Sequence, residues 1–302
     1  MSRAAPNYIW EKLATATWLK AHDIALQEAT GGTHAVVENP NRARLRVELF
    51  CASLPIASAL RKKFGGSTRR LPEDWEAQWF SAHRTKPLRV GKRLVVGDEA
   101  GSARDSTTLV IPAGAAFGTG EHATTAMSLR LLECVTRRLG KGWHMLDAGT
   151  GSGILALAGR RFGAGEVVAI DNDPLAIKTA KWNARENGIR GVSFRIADAN
   201  KPIAGNFHLI AANLYSELLA GVLPRFRRCL RLDGRLILSG VLREQESRLR
   251  GALRANGFRV QTARRRGKWV ALLASRSPDQ EKEWKKNTVD GHHRQKHLLR
   301  HP

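Results

Sequence analysis

Four oxygen-bearing side chains stand at one kind of position in this sequence, the end of a short apolar run. Asp147 closes Trp143–Leu146, Asp171 closes Val167–Ile170, Asp198 closes Val192–Ala197 and Asn213 closes His208–Ala212. Between the first two lies a loop in which Gly149, Gly151 and Gly153 alternate with Ala148, Thr150 and Ser152. Glycine turns the backbone tightly and lets it approach a ligand without a Cβ in the way. A helix starting behind such a loop offers free N–H groups that favour an anionic ligand group. An acid ending the next strand can accept two hydroxyl hydrogen bonds from a ribose, and one ending the third can accept from the exocyclic amine of an adenine. The chemistry these residues can do together is the capture of a nucleoside-containing cofactor.

The elements that must position them follow from periodicity. Residues 143–146 and 167–170 read as strands, joined by a helix over about 152–162 whose inner face carries Ile154, Leu155, Leu157 and Ala158. A helix over 174–187 opens on Pro174, favoured in a first turn, and ends at Gly188. Strands over 192–197 and 208–212 follow, then a helix over 216–231. Asp233-Gly234 turns into a strand over 235–241, followed by a helix over 244–255 and a hairpin of 257–264 with 268–273. In an open parallel sheet, ligands bind at the carboxyl ends of the strands, where all four oxygen-bearing residues fall. The expected fold is α/β and Rossmann-like.

Two cofactors fit the loop. Gly151-x-Gly153-x-x-Ala156 meets a relaxed dinucleotide fingerprint, with Asp171 about 20 residues on. The pattern Asp-x-Gly-x-Gly-x-Gly is also the loop of S-adenosylmethionine-dependent methyltransferases. Asp147 favours the second, because an acid there suits the ammonium of the methionine end and would repel a pyrophosphate. The closing hairpin points the same way, since a terminal antiparallel strand marks methyltransferase sheets more than dinucleotide ones.

The chain has 302 residues, enough for one large or two ordinary domains. Its net charge of +23 implies affinity for polyanions, most simply RNA, ribosomal particles or acidic proteins. Cys51, Cys134 and Cys229 lie far apart without metal spacing, which argues against a disulfide framework or a metal site. No apolar stretch approaches 18 residues and no signal-peptide pattern opens the chain, so a soluble cytoplasmic protein is expected.

Upstream, residues 7–29 read as an amphipathic helix carrying Ile9, Leu13, Trp18, Ile24 and Leu26. Strands over 34–38 and 43–51, a helix over 53–64 and a strand over 67–71 complete a small α+β unit. In 73–90, Trp75, Trp79 and Phe80 have helical spacing and read as core. Short strands follow over 94–96 and 108–111. The segment 112–125, PAGAAFGTGEHATT, is poor core material and reads as a loop closing over a ligand, with Phe117 and Thr119 as cofactor contacts. Glu121 and His122 could touch a substrate amine or cap the helix expected over 123–138. From Arg276 the chain is polar and reads as a disordered basic tail.

The order of motifs DWEAQW, PLRVGKRLVV, AFGTGEHATT, LDAGTGSGILALA, AIDNDPLAI, ANLYSELL and LSGVLREQ resembles the bacterial ribosomal protein L11 methyltransferase family. The resemblance runs over about residues 8–275 and is most specific in the last two thirds. It implies a seven-stranded class I methyltransferase sheet with an antiparallel last strand, plus the small N-terminal α+β domain. The domains would be a substrate-recognition domain at 1–72, a linker and cofactor-covering loop at 73–121, the methyltransferase domain at 122–275 and the tail at 276–302. S-adenosylmethionine would be held by Phe117, Thr119, Asp147, Gly149, Gly151, Gly153, Asp171, Asp198 and Asn213. Asn213 and the carbonyl of Leu214 would aim the acceptor amine, walled by Phe117 and Tyr215. The substrate would be the L11 protein of the large-subunit stalk base, methylated on lysine or the N-terminal amine by a monomeric enzyme whose basic surface can contact ribosomal RNA. The family's loop reads FGTGTHPTT, so Glu121 and Ala123 are departures, as is Leu214-Tyr215 for an aliphatic pair. Another protein, or RNA, is the alternative acceptor, although the Asn-Pro-Pro-Tyr of RNA adenine enzymes is missing its prolines here. An NAD-dependent oxidoreductase and a non-enzymatic ribosome-binding protein are the readings from other classes.

Overall fold

The computed structural model describes residues 8–15, 17–19, 21–22, 25–26, 35–37, 45–51, 53–72, 87–97, 107–112 and 122–277. The chain divides into two compact units, residues 1–84 with 113–117, and residues 85–112 with 118–302.

In the first unit, strands β1 (Tyr8–Ala14), β2 (Ala35–Val37), β3 (Leu45–Cys51) and β4 (Ser67–Arg70) form an antiparallel sheet in the order β2-β3-β1-β4. Helix α1 (Leu54–Phe64) packs on it around Trp10, Val47, Leu49, Ala57 and Leu60. Trp10 donates through its indole N–H to the Gly65 carbonyl at 2.7 Å and meets the Phe64 ring edge-on. Here the sequence reading needs correction. The helix expected over 7–29 begins as β1, and helical backbone appears only from residue 17. The Ile9–Leu13 spacing suits a helix, yet β1 is an inner strand with a partner on each side, and Leu13 is exposed. Pairing across the sheet overrides local periodicity. The two upstream strands and α1 lie where expected.

The second unit holds two sheets. Strands β5 (Leu88–Val90), β6 (Leu94–Gly97) and β7 (Thr108–Val110) make a small one. Of these, β5 was not expected. Asn187 fastens the small sheet to the main layer through β7: its Oδ1 accepts from Val110 N and its Nδ2 donates to Val110 O, at 2.7 Å each. The aromatic stretch 73–86 lies outside the described residues.

The larger sheet is built from β8 (Trp143–Ala148), β9 (Ala164–Asp171), β10 (Val192–Ile196), β11 (Phe207–Asn213), β12 (Leu230–Leu242), β13 (Phe258–Arg266) and β14 (Trp269–Arg276). Its order is β10-β9-β8-β11-β12-β14-β13. The first five are mutually parallel, and β14 runs antiparallel between β12 and β13. Helices α2 (Ala123–Thr136), α3 (Ile154–Arg161) and α4 (Pro174–Glu186) join the core on one face. Helices α5 (Ser216–Cys229) and α6 (Glu246–Ala255) cover the other. Parallel strands buried on both faces need continuous apolar runs, which Met145–Leu146, Val167–Ile170 and Leu209–Ala212 supply.

The elements expected downstream of 143 are all present. The turn expected at Asp233-Gly234 is instead an irregularity inside β12, where the pairing steps from Phe207 opposite Leu230 to Leu209 opposite Arg235. Beyond Ser277 the expected tail lies outside the described residues.

Candidate active site

The first βα turn gathers most of the predicted residues. Gly149 N and Thr150 N both donate to Ile170 O at 2.9 Å, tying the loop to the end of β9. Gly151 N donates to Asp171 Oδ2 at 2.9 Å, and Asp173 N donates to Asp171 Oδ1 at 3.0 Å. Asp147, Gly149, Gly151, Gly153 and Asp171 thus form one connected loop at the carboxyl ends of β8 and β9. Asp173 caps α4 through its Oδ1, which accepts from Leu175 N.

Asp147 is fully buried. Its Oδ2 accepts from the Thr150 hydroxyl at 2.6 Å and from Ala156 N at 3.0 Å, so it holds the loop and the first turn of α3 from behind. Its Oδ1 has no partner. Burial pushes this carboxyl up to about 7, against the two hydrogen bonds that favour its charge, while the neighbouring Asp171 charge raises it further. Burial also raises Asp171, opposed by the Asp173 and Gly151 amides. Thr150 escaped the sequence reading, although its place three residues after an acid on a turn was the available signal.

Asp198 follows β10, joined to the loop by Ala197 N donating to Asp171 O. Its Oδ1 accepts from Asn200 N at 2.8 Å, a local turn.

Asn213 ends β11 one residue beyond Ala212, which pairs with Ala148 of β8, and so lies beside the glycine loop. Its Nδ2 donates to the Thr125 hydroxyl of α2 at 3.4 Å, and its Oδ1 is buried without a partner. Thr125, 88 residues upstream, gave no sequence signal of this pairing. Leu214 is wedged between two glycines. A Cβ on Gly149, whose φ is +73°, would stand 2.3 Å from Leu214 Cδ2, and one on Gly240 would stand 2.4 Å from Leu214 O. Only glycine leaves room there for the Leu214 side chain and carbonyl. Tyr215 is exposed.

His122 caps α2. Its Nδ1 lies 2.7 Å from the Thr124 hydroxyl and accepts from Thr124 N, and its ring meets Trp269 edge-on. Of its two expected roles, the structure displays the cap. Phe117, Thr119 and Glu121 lie outside the described residues.

The donor set fits a cationic nucleoside cofactor better than a pyrophosphate. Asp147, buried behind the loop with an unpartnered oxygen, would set an acid against a dinucleotide's pyrophosphate, whereas Asp171 suits the ribose of either cofactor. S-adenosylmethionine brings an ammonium, a sulfonium and ribose hydroxyls instead. No group of three His, Cys, Asp or Glu side chains among the described residues could hold a metal.

The fold and this site define a class I S-adenosylmethionine-dependent methyltransferase. The family model for ribosomal protein L11 methyltransferase (PrmA) matches residues 48–277, and the chain belongs to that family. The ribosomal protein L11 methyltransferase of Pelotomaculum thermopropionicum is 39% identical over 214 residues, covering 69% of this chain and 68% of that one. The Thermus thermophilus protein of the same name is 37% identical over 68% of this chain and 78% of its own. The match to the Symbiobacterium thermophilum relative spans 66% of that protein. The crystal structure of ribosomal protein L11 methylase from Lactobacillus delbrueckii subsp. bulgaricus superposes with a TM-score of 0.58 at 30% identity, over 64% of this chain and 100% of that one.

Proposed function

We propose that the protein methylates ribosomal protein L11 with S-adenosylmethionine as donor, on lysine side chains or the N-terminal amine, and that Asn213 and Leu214 aim the acceptor. Family membership carries the substrate. The buried, unpartnered Oδ1 of Asn213 beside the glycine loop carries the placement of the amine.

S-adenosylmethionine supplies a methyl group already activated on a sulfonium. The protein's work is therefore positioning. The Gly149–Gly153 loop holds the methionine end, Asp171 accepts from the ribose hydroxyls, and Asp198 accepts from the adenine amine. Asp147 acts from behind the loop, shaping it and favouring cationic charge in front. Phe117 and Thr119 of the loop over 112–125 are the further cofactor contacts expected from the sequence. A lysine amine, with a reference pKa of about 10.4, must lose its proton to attack. Desolvation in the closed site favours that loss. Asn213 Oδ1 and Leu214 O accept from the neutral amine and direct its lone pair. Glu121 or water takes the proton, since His122 Nδ1 is engaged in its cap.

The N-terminal unit docks the protein substrate, the basic surface meets ribosomal RNA, and the enzyme works as a monomer in the cytoplasm. No helix among the described residues is long and apolar enough to cross a membrane.

Isotopically labelled S-adenosylmethionine with purified large-subunit proteins, read by intact-mass spectrometry, tests this. Label on L11 in steps of one methyl mass is expected. Label on another protein, with L11 unmodified, would overturn the substrate. Absence of label on any protein, with tight cofactor binding, would overturn the catalytic reading.

A further inference from the structure

Away from the methyl-transfer site, arginines concentrate where α2 meets the sheet's edge strand β13. Arg264, Arg265 and Arg266 of β13, with Met127 and Arg130 of α2, line a depression of about 260 Å³. Arg130 and Arg264 also line its neighbour of about 290 Å³, together with Glu133, Cys134 and Arg137. The two depressions make one groove. Arg130 and Arg137 are two helical turns apart, about 10 Å, and Arg264 and Arg266 about 7 Å.

These charges differ in how they are balanced. Arg137 bonds Glu133 at 2.8 Å, and Arg265 turns to Glu246 at 2.6 Å. No carboxylate among the described residues pairs with Arg130, Arg264 or Arg266. The groove is open, and Met127 is the main apolar side chain in it. Protein interfaces are built around a larger apolar centre. Three unmatched guanidinium forks in a shallow track suit phosphodiester oxygens, which they bind in bidentate fashion.

Position adds to this. Both β12 and β13 run antiparallel to β14, so β13 is parallel to β12 and β11. Arg264 and Arg266 therefore lie at the same end of the sheet as Asn213.

We propose that the groove between α2 and β13 binds the phosphate backbone of RNA through Arg130, Arg264 and Arg266. This rests on the reading that the basic surface meets RNA, which it deepens to one site, and does not depend on methyl transfer. The bound RNA lies along the flank of the sheet, beside the end where the acceptor enters.

The test uses the full chain and a fluorescently labelled single-stranded RNA oligonucleotide, with affinity read by anisotropy across a salt series. The variant R130A/R264A/R266A is compared with R190A/R228A/R254A, which removes the same charge from exposed sites elsewhere. Affinity for S-adenosylmethionine, measured alongside, reports that each variant is folded. The groove variant should bind RNA at least tenfold more weakly, and its log–log salt slope should be shallower by about 2. The control should lose less than threefold. Equal losses in both variants would mean diffuse charge attraction and would overturn the site. Unchanged RNA binding with weakened binding of a protein substrate would overturn RNA as the occupant.

Cys134 gives a second reading on the unmodified protein. It is exposed in the groove, while Cys51 and Cys229 are buried. RNA should slow its alkylation by iodoacetamide, and an unchanged rate would overturn the proposal.

Discussion

Asn213 donates its Nδ2 hydrogen to the Thr125 hydroxyl at 3.4 Å, which turns its Oδ1 the other way, buried and without a partner. A strand end and a helix start, distant in sequence, thus fix one amide in one orientation. In Asn213→Ala, kcat should fall by about 100-fold with a much smaller loss of S-adenosylmethionine affinity. Single-turnover methyl transfer and a separate cofactor titration check this. Full-rate transfer would show that the amide does not aim the acceptor. Thr125→Val keeps the shape but frees the amide to rotate, and should lower kcat by about tenfold.

Asp147 sets a pH dependence. Its carboxyl is held at about 7 in the folded protein by burial, against 3.8 unperturbed. A raised acid binds its proton more tightly when folded. Its contribution to stability is therefore complete below about pH 3.8 and is lost as pH rises to 7, at about 1.4 kcal/mol for each unit of the window. The ionised form favours a cationic ligand, so S-adenosylmethionine should bind more tightly from pH 5 to pH 7.5. Calorimetric titrations of the native protein and Asp147→Asn check this. The variant should show a flatter profile and weaker binding above pH 7.

Glu246 should behave with the opposite sign. Its Oε1 accepts from Arg250 and Arg265 at 2.8 and 2.6 Å, and its Oε2 from Arg265 at 2.8 Å. The Arg265 hydrogen bond leads in holding the carboxyl below its ordinary value of 4.5. That stabilisation is present above pH 4.5 and fades as pH falls through the lowered value. Glu246→Gln should cost about 1–2 kcal/mol at pH 7 and progressively less as pH falls below 4.5, by urea titration across that range.

The contact between Gly149 and Leu214 predicts a compensating pair. Gly149→Ala sets a methyl against Leu214 Cδ2 at a backbone angle that side chains resist. It should cost about 1–3 kcal/mol and most of the cofactor affinity. Adding Leu214→Ala should restore part of the stability by relieving the clash, but not the transfer rate, because Leu214 no longer holds its place at the acceptor. Thermal melts and turnover of the two singles and the double decide it.

The methyltransferase sheet was legible because its signals are local. Strands buried on both faces write continuous apolar runs, and Asp147, Asp171, Asp198 and Asn213 each end one. The first strand was not legible, since β1 is defined by partners more than 30 residues away in β3 and β4 and its residues also suit a helix. Thr125 and Ser239 were invisible for the same reason. Ser239 reaches the carbonyls of Thr124 and Val270 from the middle of β12, and no spacing rule points across such distances. The enclosure of Asp147 was also hidden. The sequence marks an acid at the strand end, and the packing of α3 decides that it faces the loop's backbone.

The arginines of β13 have a second consequence. This strand is one of the two edges of the sheet, and among the described residues its outer row of backbone groups is open to pairing. In the register that sets Arg265 opposite itself, a second copy docking edge to edge would bring Arg264, Arg265 and Arg266 against their own counterparts. Like charges set side by side across strands repel, so the edge disfavours that pairing with its own kind.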